Sequence, residues 1–500
     1  MKKRIQLLIA LACAILFTCL FFDSGIGVNL AIFYTLFAAT LLTVYGWQKR
    51  KPVFWIFFVA SLLLSWAVAW HGNYFTIFVF FIQVAFFAGA FALSELGVGI
   101  PFFKEGIVQL FVSQGNFVSG ITLGRGERRR GTPWKYIFQY GIPALVVFVL
   151  FIFFYRNSNS IFNSYVDEVS VFFENIMDKL NLKMIGTFLL GLALVNVFLF
   201  HIVRKKIVDQ WLSKIPFIER IRDKRIRFMK RRGLNTKLGF ENKFGIFFIG
   251  LLNAMLLILN ISDLQLVWFG FEWKGQLLRE YVHEGTWYLI ISICISAITI
   301  LYFFRGNLNF FSGNKYLKIM ARIWMLQNAF LAISVLLRNL RYIEFYGLAY
   351  LRIGVFFFLV AVVALLVFVW LKIGRRESMW LFLSRNLITG MILLGICALV
   401  DWSNVITRFN LSHYKKSFVH MQFLAKMPDR CLPVLLKYRE LLPEIKSAQL
   451  KRGYGYSDEV NEEEISVVLE RRKLEFIRKY DQQSWRETTW ADRDARYRMP

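Results

Sequence analysis

Eleven long apolar stretches, each followed by a short polar break, occupy the chain up to Val400. In the hydrocarbon layer of a bilayer, only a helix of about 20 apolar residues or a closed barrel satisfies its own backbone donors and acceptors. Each stretch therefore predicts a spanning helix, and together they predict an all-α integral membrane protein with about 11 transmembrane helices. The expected spans are Ile5 to Phe22, Gly27 to Trp47, Val53 to Trp70, Tyr74 to Leu93, Tyr136 to Phe154, Met184 to Val203, Phe244 to Ile261, Thr286 to Phe304, Lys318 to Leu336, Leu351 to Leu371 and Met379 to Val400. Composition agrees: 57% of the 500 residues are hydrophobic and 53 are Phe, above the share that soluble domains carry.

A net charge of +28 raises the question of nucleic acid, and the position of the basic residues answers it. With the N-terminus taken as cytoplasmic, the inside loops hold 32 Lys and Arg and the outside loops 8. That asymmetry follows the positive-inside rule, so the expected topology has a cytoplasmic N-terminus and a helical C-terminal tail outside. The most basic loop, Arg204 to Lys243, reads as a surface for anionic lipid headgroups. Without helix-turn-helix or Gly-aromatic signals, no nucleic-acid partner is expected. Lys2, Lys3 and Arg4 ahead of an apolar run also resemble a signal peptide, but the run is long enough to favour an uncleaved first helix. Cys13, Cys19, Cys294 and Cys397 lie within spans and Cys431 outside them, with no spacing that suggests a disulfide framework or a metal site.

Four regions follow. Residues 1–135 hold four spans and a cytoplasmic loop, of which Pro101 to Phe117 is expected to lie along the membrane surface. Residues 136–243 hold two spans, an outer amphipathic helix marked by Tyr165, Val169, Phe172, Ile176 and Leu180, and the basic loop. Residues 244–402 form a five-span core. Residues 403–500 form the tail, with breaks at Pro428 and Pro433, a joint at Gly453 to Tyr456, and an exposed helix from Glu462 to Tyr480.

No catalytic, cofactor or metal-binding residue is expected from motifs. The most unusual grouping is an outer-face set of Arg338, Arg341, Tyr342, Tyr346 and Arg352, joined by His283 and Glu284. Arginines are scarce on that side, so these should have partners. Glu344, Glu284, Glu280 and Asp401 at the same membrane level would make the cluster a structural ion-pair network. An anion site is the functional alternative, because guanidinium groups grip phosphate or carboxylate with two hydrogen bonds. Among intramembrane polar residues, Gln327 and Asn328 read as interhelical hydrogen-bond groups, and Arg385 with Asn386 lies about two turns inside the last span, either snorkelling or facing a polar cavity. Mid-bilayer acidic residues, which ion-coupled transporters use, are absent from the expected spans.

Several motifs resemble a known group of bacterial multi-pass proteins. Tyr281, Val282, His283, Glu284 and Gly285 are similar to a Tyr-Val-x-Glu-Gly element, and Arg341, Tyr342, Tyr346, Gly347, Leu348 and Arg352 to an Arg-Tyr, Tyr-Gly-Leu, Arg signature. Arg408 to Leu411, then Phe423 to Pro433, then Ser484 to Arg496 resemble its later elements, with departures at Phe409, Met427 and Arg430. The group is domain of unknown function 4173, with the related 4153 class. The resemblance is good from about Phe240 to Tyr497 and looser before it, and implies an envelope protein without assigned catalytic or cofactor residues. A non-enzymatic component that binds an anionic lipid, an envelope ligand or a protein partner through its outer face and tail is the first expectation. A transporter or lipid flippase is the second, and an enzyme on a lipid-linked substrate using His283 and Glu284 the third.

Overall fold

The computed structural model describes residues 3–46, 50–122, 141–179, 181–214, 216–219, 234–269, 275–304, 306–451 and 462–499. Its N-terminal helices are α1 (Lys3–Phe21), α2 (Val28–Tyr45), α3 (Pro52–His71), α4 (Tyr74–Ala92) and α5 (Phe102–Thr122). A hairpin of α6 (Ile142–Ser158) and α7 (Ser160–Lys179) leads to α8 (Leu182–Leu199) and α9 (Lys205–Leu212). Then come α10 (Leu234–Asp263), continued by a π-helical turn at Leu264–Phe269, α11 (Gly275–Phe303), α12 (Lys315–Tyr346), α13 (Tyr350–Arg375) and α14 (Met379–Ala398). The tail carries α15 (Trp402–Ser412), α16 (Leu442–Lys451), α17 (Glu462–Gln482) and α18 (Trp490–Tyr497), with short turns between Met421 and Leu441.

Among the described residues, nine helices are long and apolar enough to cross a membrane, and α6 and α11 contain shorter apolar runs at Val146–Ser158 and Tyr288–Phe303. The protein is thus an all-helical membrane protein. Phe33, Phe37, Phe57, Phe87 and Phe198 build an aromatic core for α1 to α4 with α8, while Ile293, Ile300, Leu331 and Val369 centre a second core in α10 to α13.

Helix α14 joins the two. It packs on α13 on one side and is tied to α4 on the other, where Thr76 donates to the carbonyl of Ala398 at 2.9 Å and Gln83 to that of Met391 at 2.9 Å. Near its start, Ser384 accepts from the backbone of Gly99 at 2.9 Å. In the second core α10 and α12 run side by side in the same direction. Asn242, Asn253 and Asn260 donate to the carbonyls of Gly313, Met320 and Gln327, and the Trp268 indole donates to Ser334, so the accepting positions recur every seven residues. Such bonds between membrane helices contribute about 0.6 kcal/mol each.

Helix α5 contains most of the segment Pro101 to Phe117. It packs lengthwise on α4 so closely that a Cβ on Gly89 would meet the carbonyl of Phe102, and one on Gly106 that of Ala85. Its polar side is the buried one. Glu105, Gln109 and Ser113 lie one turn apart against the protein, and Phe103, Ile107, Leu110 and Phe111 face outward. The chain after α8 takes up the buried groups: Arg204 pairs with Glu105, and Gln109 exchanges hydrogen bonds with the backbone of Ile202. Polar groups that would be costly in hydrocarbon are thereby satisfied inside the fold.

The tail is a folded cap whose core is Leu411, Leu424, Leu432, Leu435, Ile445, Leu469 and Phe476. The expected exposed helix from Glu462 differs on this point, because α17 buries Ile465, Leu469 and Phe476 along one face. The expected joint at Gly453 to Tyr456 lies outside the described residues. Beyond α17 the chain returns to the N-terminal helices. Arg486 donates to the carbonyl of Cys19 at 2.7 Å, the backbone of Asn29 donates to that of Arg486 at 3.0 Å, and a Cβ on Gly27 would run into the Glu487 backbone. The Trp490 ring lies against Trp66 and Trp70, at 5.6 and 6.0 Å. The turns after α1, α3, α12 and α14 all meet the tail, so they share one face, here termed the tail face.

Candidate functional site: the arginine and tyrosine joint

Helix α12 continues past the apolar run that ends at Leu336, through Arg338, Asn339 and Tyr342, all of which the fold buries. Arg338 can sit there because it pairs with Asp263 at the end of α10. Their side chains are 5% and 2% exposed. An isolated charge at such a depth is several kcal/mol uphill, and the pairing offsets much of that penalty. The sequence does not announce this partner: Asp263 lies beyond the expected end of its span at Ile261, and α10 reaches it as its last residue, just before the π-helical turn. Of the carboxylates first expected to pair, Glu344 meets the exposed Arg341 at 3.4 Å, and Asp401 pairs elsewhere.

Gly347 ends α12 with φ at +73°, a conformation in which a Cβ is strained, and Arg352 in the first turn of α13 reaches back to the carbonyls of Tyr346 and Gly347. Those are carbonyls that the end of a helix leaves without intrahelical partners. The Arg352 guanidinium also lies 4.5 Å from the centre of the Tyr342 ring, which itself packs on Tyr346 at 4.6 Å. From the cap, Asn410 holds both backbone groups of Leu348: its Oδ1 accepts from the N–H at 2.6 Å and its Nδ2 donates to the C=O at 2.9 Å. The paired motifs around Tyr342 to Arg352 and Arg408 to Leu411 thus meet as one joint between two spans and the cap. His283 and Glu284 fall on α11, where their side chains lie outside the described residues.

A second polar cluster lies nearby. Arg430 pairs with Asp401 at 3.1 Å and donates to the carbonyl of His71 at 2.7 Å, and Ser403 joins Tyr350 at 2.8 Å. Cys431 is buried beneath it, and burial pushes its thiol up to about 11, far from a reactive thiolate at neutral pH.

The intramembrane residues divide differently from expectation. Arg385 pairs with Glu377 at 2.6 Å, a buried carboxylate in the turn before α14, and so has a protein counter-charge. Asn386 and Asn328 donate to carbonyls four residues back, at Phe382 and Trp324. Gln327 borders a groove of about 390 Å³ between α10 and α12 whose walls are otherwise largely apolar. A larger groove, about 940 Å³, separates α6 from α7 and is lined by side chains such as Val147, Phe148, Phe151 and Val169. Neither groove gathers the acid, base and oxyanion donors that a catalytic centre needs. Among the described residues no group of three His, Cys, Asp or Glu is placed to hold a metal ion. Most of the basic loop from Arg204 to Lys243 lies outside the described residues.

A family profile described as a domain of unknown function, DUF4153, matches residues 6–438. The chain belongs to the DUF4153 family. No curated protein and no solved structure matches it. The DUF4153 region takes in both membrane cores and the joint around Gly347, and reaches much further toward the N-terminus than the motif resemblance beginning near Phe240. It stops within the cap, before α17 and the closing Trp and Arg motif at Ser484 to Arg496.

Proposed function

We propose that this protein is a non-enzymatic scaffold of the bacterial cytoplasmic membrane, whose cap is a fixed docking surface for an envelope protein. Eleven spans, a cytoplasmic N-terminus and an external cap complete the reading. The count joins the nine long helices to the apolar parts of α6 and α11. The sidedness rests on the 32 against 8 distribution of basic residues and on the cap meeting the loops that this distribution assigns to the outside. A bacterial envelope is what the motif likeness to the 4173 class implies.

The observation that carries the reading is how the cap uses its polar groups. Arg430, Arg472, Arg486 and Asn410 are engaged in fastening it to itself and to the spans. What it turns outward includes large aromatic side chains, Trp485 at 63% and Tyr497 at 89% exposure. Aromatic residues are the side chains enriched at protein interfaces. Engagement of Arg338 and Arg352 within the joint favours a protein over an anion as the ligand of this face.

Photo-crosslinking residues placed at Trp485 and Tyr497, with the buried Leu469 as control, test this in intact cells. A discrete protein adduct from the two exposed positions and none from Leu469 is expected. Adducts to lipid alone, or none from any position, would refute partner docking by the cap.

A further inference from the structure

The geometry points to a phospholipid-headgroup site on the face opposite the cap, built from Lys318, Arg322 and Arg376 and taking an anionic phospholipid. Lys318 and Arg322 stand one turn apart at the start of α12, and Arg376 ends α13. Lys318 is half-buried, and both arginines are near enough for their charges to act on it. Arg322 lies over the Trp370 ring at 5.2 Å and Arg376 over Phe310 at 4.8 Å, so flat aromatic surfaces hold both guanidinium groups beside the lysine.

At two other points on this face the protein supplies its own counter-charge. Glu105 serves Arg204, and Glu377 serves Arg385 and acts on Lys372. Among the described residues, neither Glu377 nor the nearby Glu219 forms an ion pair with Lys318, Arg322 or Arg376. Three neighbouring cations that no described carboxylate pairs with repel one another, and a bound anion relieves that repulsion. The occupant is a lipid because of where the cations stand. Ile319, Ile323 and Trp370 continue outward from them as exposed apolar surface, so a phosphate held here would have acyl chains lying along α12 and α13. The site is independent of partner docking at the cap, which sits at the other end of the same helices.

Native mass spectrometry of the full chain in mild detergent tests it, with phosphatidylglycerol, phosphatidylcholine of the same acyl chains, inorganic phosphate and a short oligonucleotide as probes. Wild type should retain phosphatidylglycerol over phosphatidylcholine and release it in high salt. Lys318→Gln and Arg322→Gln should each weaken phosphatidylglycerol binding by about fivefold and leave phosphatidylcholine unchanged, while Lys318→Arg retains it. Unchanged retention in the triple variant Lys318→Gln, Arg322→Gln, Arg376→Gln, melting as wild type does, would overturn the site. So would salt-insensitive retention by wild type, which decides the matter should the triple variant not fold. Displacement by equimolar inorganic phosphate would assign the cluster to a free anion, and displacement by the oligonucleotide to nucleic acid, and either overturns the lipid assignment.

Discussion

The Asn410 carboxamide holds Leu348 by both of its backbone groups, at 2.6 and 2.9 Å, across 62 residues of chain. The reach is short because Gly347 has no side chain, and a Cβ there would press on Asn410 Oδ1. Asn410→Ala leaves a donor and an acceptor of Leu348 unsatisfied. A loss of about 2 to 4 kcal/mol is expected, from roughly 1 to 2 per stranded group. Asn410→Asp keeps the acceptor and should lose less. Thermal unfolding in detergent distinguishes them, and equal melting temperatures for Asn410→Ala and wild type would remove the clamp from the account of the joint.

Arg338 and Asp263 are expected to behave as a unit. Removing one partner strands the other charge away from water, a loss of about 3 to 5 kcal/mol, whereas replacing both with apolar residues of similar size removes the stranded charge altogether. Asp263→Leu or Arg338→Met alone should sharply reduce the folded protein recovered from membranes, and the double variant should restore much of it. Additive losses in the double variant would show that the two residues act separately.

How much of this was legible follows from the range of each signal. Membrane character and the helix positions are written in local runs, and a stretch such as Tyr350–Arg375 needs no distant information to be recognised. The tail-face arginines stand out because their type is wrong for their place. Their partners do not stand out, since Asp263 is 75 residues from Arg338 and Asn410 is 62 from Leu348. Direction of burial is equally hidden: the stripe Glu105, Gln109, Ser113 is amphipathic whichever side faces the protein, and only the close contact with Gly89 and Ala85 turns its polar side inward. Gly27 reads in sequence only as the first residue of a span, although the space it leaves is filled by the backbone of Glu487.

Attachment of α18 should depend on pH through Asp492. Burial raises this carboxyl above its ordinary value of 3.8, against the Thr489 hydroxyl that donates to it at 2.7 Å and lowers it. The docked form therefore binds the proton more tightly than the released form. Its contribution is fully present below the ordinary value and is lost as pH rises through the raised one. Protease susceptibility of the last turn of the chain should rise across that window in wild type. In Asp492→Asn, which keeps an acceptor for Thr489 without the charge, susceptibility should be lower at neutral pH and flat across the window. The same slope in both proteins would exclude Asp492 as its source.

Docking of the chain end on α3 rests on Trp490 more than on any charge. Its ring contacts Trp66 and Trp70, and aromatic pairs of this kind contribute about 0.5 to 1.5 kcal/mol each beyond the area they bury. Trp490→Ala should therefore free residues 484–499 while leaving the cap core around Leu432 and Leu469 folded, because most of that core comes from α15 to α17 and the turns between them, with Ala495 and Met499 added to it by the released segment. Gly27→Leu should give the same release from the opposite side, by filling the space of the Glu487 backbone without touching Trp490. Hydrogen exchange in detergent separates the alternatives: both variants should lose protection at 484–499 and retain it at 432–437 and 462–482. Loss of protection throughout the cap would mean that its folding depends on the N-terminal helices, and unchanged protection would mean that neither contact fastens it.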